Sequence, residues 1–350
     1  MAKLLTRYRH RDEARRAKLD HGDVTTPRWR NSIIATVVFA VLVVALLWSI
    51  PGLHSVTKEL KRANQWWVGI AFGLELLSCI SFVLLFERVF SRGPRRLTSR
   101  LAWSEMAANS LISAGGTSGL ALGAWVLRSR GVPGHRIAER SVFLFLITSA
   151  ANVGALVLFG VAMGAGLLGG TRNPLLTWLP AGVGALVIVG ALEVGWLASR
   201  GAVQRERHPR IASWLAPVAG GVQETQRALL HPDGQLAGAI GYWLFDNAAL
   251  WAALAAFGHT PAFGVVVMAY LVGMLGNELP LPGGVGGVEA GLIGMLVLYG
   301  MPATMAAAGV LVYRALSLLL PGLIGSIAFL DLRRLLRSAE TPTQPAEGTG

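Results

Sequence analysis

Arg314 is the residue that most needs a physical account. It stands about eleven residues into an apolar run, among Leu311, Val312, Leu316 and Leu318, too deep to reach the surface easily. An ionisable group at the centre of a bilayer costs about 2.5–3.5 kcal/mol even on lenient insertion scales. It therefore calls for a partner, a water-filled cavity or an interface. Glu289 is the first candidate partner and Asp246, which has Asn247 beside it, is the second. A guanidinium also matches the geometry of a phosphate, so Arg314 could anchor a lipid headgroup, lock a hairpin through Glu289, or do both.

Gly276 to Gly287 (GNELPLPGGVGG) is the second chemical signal. Backbone groups freed by Pro and Gly are tolerated at membrane depth only inside protein or facing water. Amides at the start of the apolar arm Val288 to Tyr299 would attract an anion. Asn277 could cap the preceding arm, and Glu278 could bind an amine or a proton. Gly283 and Gly284 supply the break itself. The alternative reading is a tight turn needed only for packing. Asp246 could also carry a proton. Asn109 is the corresponding polar residue of an earlier broken stretch. Glu105 is expected near the headgroups, and Glu75 and Glu193 are weaker candidates. Glu139 and Arg140 are expected at the membrane surface with no particular partner.

The elements that must position these residues are apolar helices. The chain of 350 residues is 53% hydrophobic and 14% charged, a charged fraction well below that of soluble domains. Spans are predicted at Ser32 to Pro51, Trp66 to Glu87, Ser141 to Leu167, Leu176 to Ala198, Leu236 to Phe257 and Ala303 to Asp331. Residues 1–30 form a basic arm suited to an anionic lipid surface, residues 31–331 the membrane domain, and residues 332–350 a tail expected to be disordered. Residues 199–232 read as a long polar segment with one amphipathic patch from Ile211 to Val218.

Two stretches do not read as spans. Leu101 to Leu127 is interrupted by Ser110, Ser113 and the run GGTSG. Phe263 to Leu275 and Val288 to Tyr299 flank the Pro/Gly break, and each is too short, at roughly 20 Å as helix, to cross a core of about 30 Å. Both stretches are predicted to be re-entrant hairpins. With the N-terminus in the cytoplasm, 26 Lys and Arg then fall inside and 4 outside, leaving Arg314 in a span, as the positive-inside rule requires. Asn109 and Gly115-Gly116 match Asn277 and Gly283-Gly284 at an offset of 168, and Gly131-Val132-Pro133 matches Gly300-Met301-Pro302 at 169. Three spans separate the hairpins, so the copies would be inverted, an arrangement found in transporters with a site near the midplane. The expected fold is all-α integral membrane: about six spanning helices and two re-entrant hairpins in inverted repeats.

Other classes find no carriers in the sequence. Cys79 is the only cysteine, and no GxxxxGK[ST] phosphate loop occurs. No nucleophile triad, metal cluster or paired carboxylates in a polar pocket is evident. An enzyme, a cofactor, a bound metal, a nucleic-acid partner and ATP-driven pumping are therefore not expected.

Pro280 to Gly325 carries a Pro-Gly-Gly run, Glu289 five residues after its second Gly, a Gly-x-Pro turn, and Tyr313-Arg314 seven residues before Pro321. This combination resembles the transmembrane, flippase-like region of lysylphosphatidylglycerol synthases, a family that includes stand-alone membrane proteins. A weaker likeness extends over residues 33–331. The resemblance implies movement of a phospholipid, such as an anionic or aminoacylated one, or of another lipid-linked phosphate, between leaflets of the cell membrane, with Glu289 and Arg314 central. Unlike the full-length synthases, the chain has about 19 residues after the last span, so an aminoacyl-transfer domain is not expected. The alternatives are a secondary transporter of a small solute and a non-transporting scaffold for an envelope-synthesis enzyme.

Overall fold

The structure, a computed structural model, describes residues 62–90, 95–111, 117–200, 209–258, 260–275 and 286–340. The first predicted span, the basic arm, and the break carrying Asn277, Glu278, Gly283 and Gly284 lie outside the described residues. Within them the chain is helical with no strand: α1 (Gln65–Val89), α2 (Arg95–Leu111), α3 (Thr117–Ser129), α4 (Gly134–Gly164), α5 (Pro174–Arg200), α6 (Pro209–Leu230), α7 (Gly234–Ala255), α8 (Phe263–Gly273), α9 (Gly287–Leu298) and α10 (Ala303–Glu340).

By length and composition α1, α4, α5 as far as Glu193, and α10 can cross a membrane. Their outward residues are apolar: Leu77, Ile80 and Leu84 on α1, and Leu179, Leu186 and Val187 on α5, are exposed, a surface suited to lipid. The predicted fifth span, α7, has 22 residues, about 33 Å of helix, but carries Asp246 and Asn247. Ten of its residues are buried, so protein rather than lipid surrounds its polar groups. It packs antiparallel along α1: Asn64 N–H donates to Ala256 O at 2.8 Å at one end, Ser78 Oγ donates to Tyr242 O at 3.0 Å midway, and Arg88 lies over Gly234 at the other.

The two broken stretches become helix pairs. With 11 and 12 residues, α8 and α9 are each about 17–18 Å long and cannot cross a core of about 30 Å. In each pair the two helices pack on one another. Near the first pair, Arg100 of α2 meets Asp331 and Gly134, just after α3, meets Arg128. Near the second, Trp251 Nε1–H donates to Pro261 O beside the start of α8, and Tyr299 Oη–H, after α9, donates to Leu176 O. The residues that close the two tips are not among those described.

The packing has an internal correspondence. Exchanging α1 with α7, α2 with α8, α3 with α9 and α4 with α10 maps every well-packed pair among these eight helices onto another: α2 lies against α10 as α8 lies against α4, and α1 and α7 lie against each other. Local details repeat as well. Asn64 caps α1 through Trp66 N–H, and Asp233, 169 residues on, caps α7 through Gln235 N–H. Val132 N–H donates to Leu127 O, and Met301 N–H to Leu296 O. In both turns the glycine before, Gly131 at φ 78° and Gly300 at φ 92°, takes the left-handed conformation that closes a helix C-terminus.

Three segments depart from expectation. Most of residues 199–232 is the helix α6, because Ala219, Val222, Thr225 and Ala228 recur at helical spacing and are buried. It packs on α4, which begins at Gly134 rather than Ser141. That extra charged turn puts Arg140 against Glu224 in an ion pair, so Arg140 does have a partner. Third, α10 continues through residues 332–340 of the expected tail, with Leu332 buried among Leu85, Phe86 and Phe143.

Candidate functional site

Glu289 and Arg314 meet. Glu289 lies in the first turn of α9, where its carboxylate can fold back toward the unsatisfied amides of the helix start. One oxygen accepts from Gly286 N–H at 2.9 Å. The other accepts from Arg314 Nε–H at 2.8 Å. Both side chains are about four-fifths buried, at 20% exposed for Arg314 and 18% for Glu289. The anion that the sequence placed at this helix start is thus supplied by the chain itself. Gly286, at φ 94°, makes the turn that brings its N–H round.

Asp246 is not the partner of Arg314. Tyr313, the residue just before Arg314 on α10, leaves the helix in a different direction and donates its hydroxyl to Asp246 Oδ1 at 2.8 Å. Tyr270, from α8, donates to Oδ2. Asp246 is thereby held by three elements, on α7, α8 and α10. Its carboxylate has a donor on each oxygen, the arrangement a buried charge needs. The Tyr270 and Tyr313 rings meet edge to face at 6.4 Å.

Glu75 completes the centre. It projects from the middle of α1, is 4% exposed, and lies level with Asp246 across the α1–α7 pair, one turn from the Ser78–Tyr242 hydrogen bond. Its Oε2 has no partner. Paired carboxylates, which the sequence did not reveal, are therefore present across the α1–α7 interface. An apolar shell of Ala71, Leu250, Leu254, Leu292 and Leu296 surrounds the Tyr313 ring, which excludes water and strengthens electrostatic interactions among these groups.

The remaining residues sort by place. Asn109 accepts from Gly119 N–H at 2.8 Å and ties α2 to the start of α3, a hairpin-closing contact. Glu105 is 4% exposed, because α3 offers Gly123 as a gap for its carboxylate. Gly291 fills the equivalent place in the second pair and rests on the backbone of Gly273. Asn247 is fully buried and donates Nδ2–H to Trp243 O at 3.0 Å along its own helix. Glu193 is exposed on α5. Tyr270 and Glu75 were the residues the sequence undervalued. A phenol or carboxyl inside an apolar helix must find a polar partner, and that requirement was the available signal.

A helical bundle with lipid-suited outer faces, two half-length helix pairs and ionisable groups at its centre defines a polytopic membrane protein. The chain matches the family described as Lysylphosphatidylglycerol synthase TM region over residues 33–325, and it belongs to that family. It is also similar to a UPF0104 membrane protein of Methanothermobacter thermautotrophicus, 31% identical over 86 residues, which are 24% of this chain and 26% of that protein.

Proposed function

We propose that this protein moves a phospholipid or a lipid-linked phosphate between membrane leaflets, without ATP and without making or breaking covalent bonds in the lipid. The observation that carries the reading is the Arg314–Glu289 pair, four-fifths buried in the bundle at the start of a half-length helix. Glu289 engages Nε, so the Nη groups of Arg314 are the ones that would take a phosphate oxygen. A headgroup phosphate would compete with Glu289 for the guanidinium and for the amide of Gly286. That exchange keeps the buried guanidinium paired with an anion throughout.

The matching caps and the interchangeable packing support two inverted copies related about an axis between α1 and α7. The two half-length pairs would then enter from opposite faces and shorten the polar distance a headgroup travels, while the acyl chains stay in lipid. Membership of this family favours a lipid over a soluble solute. The protein would reside in the cell membrane with its basic loops inside, following the charge bias of the sequence.

The test is leaflet exchange of fluorescent anionic and aminoacylated phospholipids in proteoliposomes, comparing the unaltered protein with Arg314→Ala and Glu289→Gln. Exchange by the unaltered protein that either change abolishes is the expected result. Absence of exchange with every lipid, from protein that elutes as a folded species, would instead favour solute transport or a scaffold role.

A further inference from the structure

We propose that Glu75 and Asp246 form a proton-binding site, holding one exchangeable proton between two carboxyl groups at the centre of the bundle. The inference deepens the translocation reading, on which its coupling role rests, by naming the ion that drives the cycle.

The argument is geometric. Glu75 on α1 and Asp246 on α7 lie at one level of the antiparallel helix pair, since Ser78 Oγ, one turn from Glu75, donates to Tyr242 O, one turn from Asp246. They are 4% and 8% exposed. Asp246 has a tyrosine hydroxyl on each oxygen, Tyr313 on Oδ1 and Tyr270 on Oδ2. Those two donors suit it to be the ionised member. Glu75 has no such support: its buried Oε2 has no hydrogen-bond partner among the described residues. A carboxylic acid there can donate to Asp246, whereas a second carboxylate would face like charge with no donor among the described residues.

The surrounding charges do not offer another solution. The titratable groups acting on the pair are Cys79 on α1, Tyr242 on α7, Tyr270 on α8, and Tyr313 and Arg314 on α10. Arg314 is the only cation among them, and Glu289 on α9 already holds it. One guanidinium, already paired with Glu289, against three carboxyl groups leaves the Glu75–Asp246 pair with no cation of its own among the described residues, and a shared proton halves its charge. If a headgroup phosphate displaces Glu289 from Arg314, the balance at the centre changes. The added negative charge holds the proton on the pair while the anion is bound, and the proton passes to water as hydronium only once the anion has left. The two carboxyl groups bind it as a unit, so its affinity belongs to the pair rather than to either residue.

Infrared difference spectra of the purified full chain in nanodiscs, recorded across pH steps in H2O and D2O, read the proton directly. With every protein carrying Glu105→Gln, because Glu105 is also a buried carboxyl, the otherwise unaltered protein should show a protonated-carboxyl C=O band that shifts in D2O. Glu75→Gln and Asp246→Asn should lose it, Glu75→Asp should keep a shifted band, and Glu193→Gln, on the exposed side of α5, should leave it unchanged. No band in the otherwise unaltered protein, or a band that survives both Glu75→Gln and Asp246→Asn, overturns the site. Loss of the band on adding sodium at constant pH assigns the pair to a metal cation and also overturns it.

In proteoliposomes, a transmembrane pH gradient should speed lipid exchange by the unaltered protein, and Glu75→Gln should abolish that dependence. Exchange indifferent to the gradient overturns the coupling. A normal band with no lipid exchange at all leaves the proton site standing and counts against the translocation reading, so the two failures are distinct.

Discussion

Glu289 holds two donors at once, the Gly286 amide and the Arg314 guanidinium, and its replacement should therefore cost more than one contact. Glu289→Ala leaves a largely buried guanidinium unpaired, a change expected to cost about 3 kcal/mol, visible as a lower unfolding temperature in detergent. Replacing both residues with apolar side chains, Arg314→Met with Glu289→Leu, should restore most of that stability while still abolishing exchange. That separates a structural role for the pair from a functional one. Tyr313→Phe removes one donor from Asp246 and keeps the ring in its apolar shell. It should cost about 1–2 kcal/mol, with the edge-to-face contact to Tyr270 preserved. The need for a partner at Arg314 was legible from its apolar neighbours. Glu289 was legible as its first candidate partner; that Asp246 is held instead by Tyr313 and Tyr270 was not, because it depends on Tyr313 and Arg314 leaving α10 in different directions.

At the scale of elements, the half-length pairs are held by close backbone approach. A Cβ added at Gly291 would meet the carbonyl of Gly273, so Gly291→Ala should force α8 and α9 apart at about 1–3 kcal/mol. Gly294→Ala in the same helix, where nothing lies within 4 Å, should be tolerated. Comparing their resistance to brief proteolysis checks this. The two turns that end α3 and α9 make a parallel case. Gly131→Ala and Gly300→Ala meet no neighbour but demand a left-handed backbone of a residue with a Cβ, at about 1–2 kcal/mol each. The Gly-x-Pro pattern made both turns readable from sequence. The helix α6 was not readable, since its buried stripe consists of Ala, Val and Thr residues whose face matters only once α4 lies beside it.

For the whole molecule, the interchange of α1–α4 with α7–α10 predicts that corresponding turns open on opposite sides of the membrane. In a Cys79→Ser background, a cysteine introduced at Val132 should react with an impermeant thiol reagent only from the cytoplasmic side. One introduced at Pro302 should react only from outside. Labelling of both from one side would contradict inverted copies. The ion pairs already group in this sense: Arg100 with Asp331 and Arg140 with Glu224 join segments that the charge bias assigns to one face.

By itself the sequence determined the membrane class, the approximate spans, the two interrupted stretches and the ionisable residues that could not be left unpaired. Those features follow from local quantities: the length of an apolar run, the placement of Pro and Gly, and the cost of a charge in hydrocarbon. Only the tertiary structure decided which groups satisfy one another. Glu75 and Asp246 are far apart in the chain and meet because α1 and α7 cross antiparallel. Asp246 takes its donors from α8 and α10, and Glu105 is buried because α3 presents a glycine to it. Burial and partnership at the centre of a bundle depend on helix rotation and approach, which apolar periodicity constrains weakly when helices are hydrophobic on nearly every side.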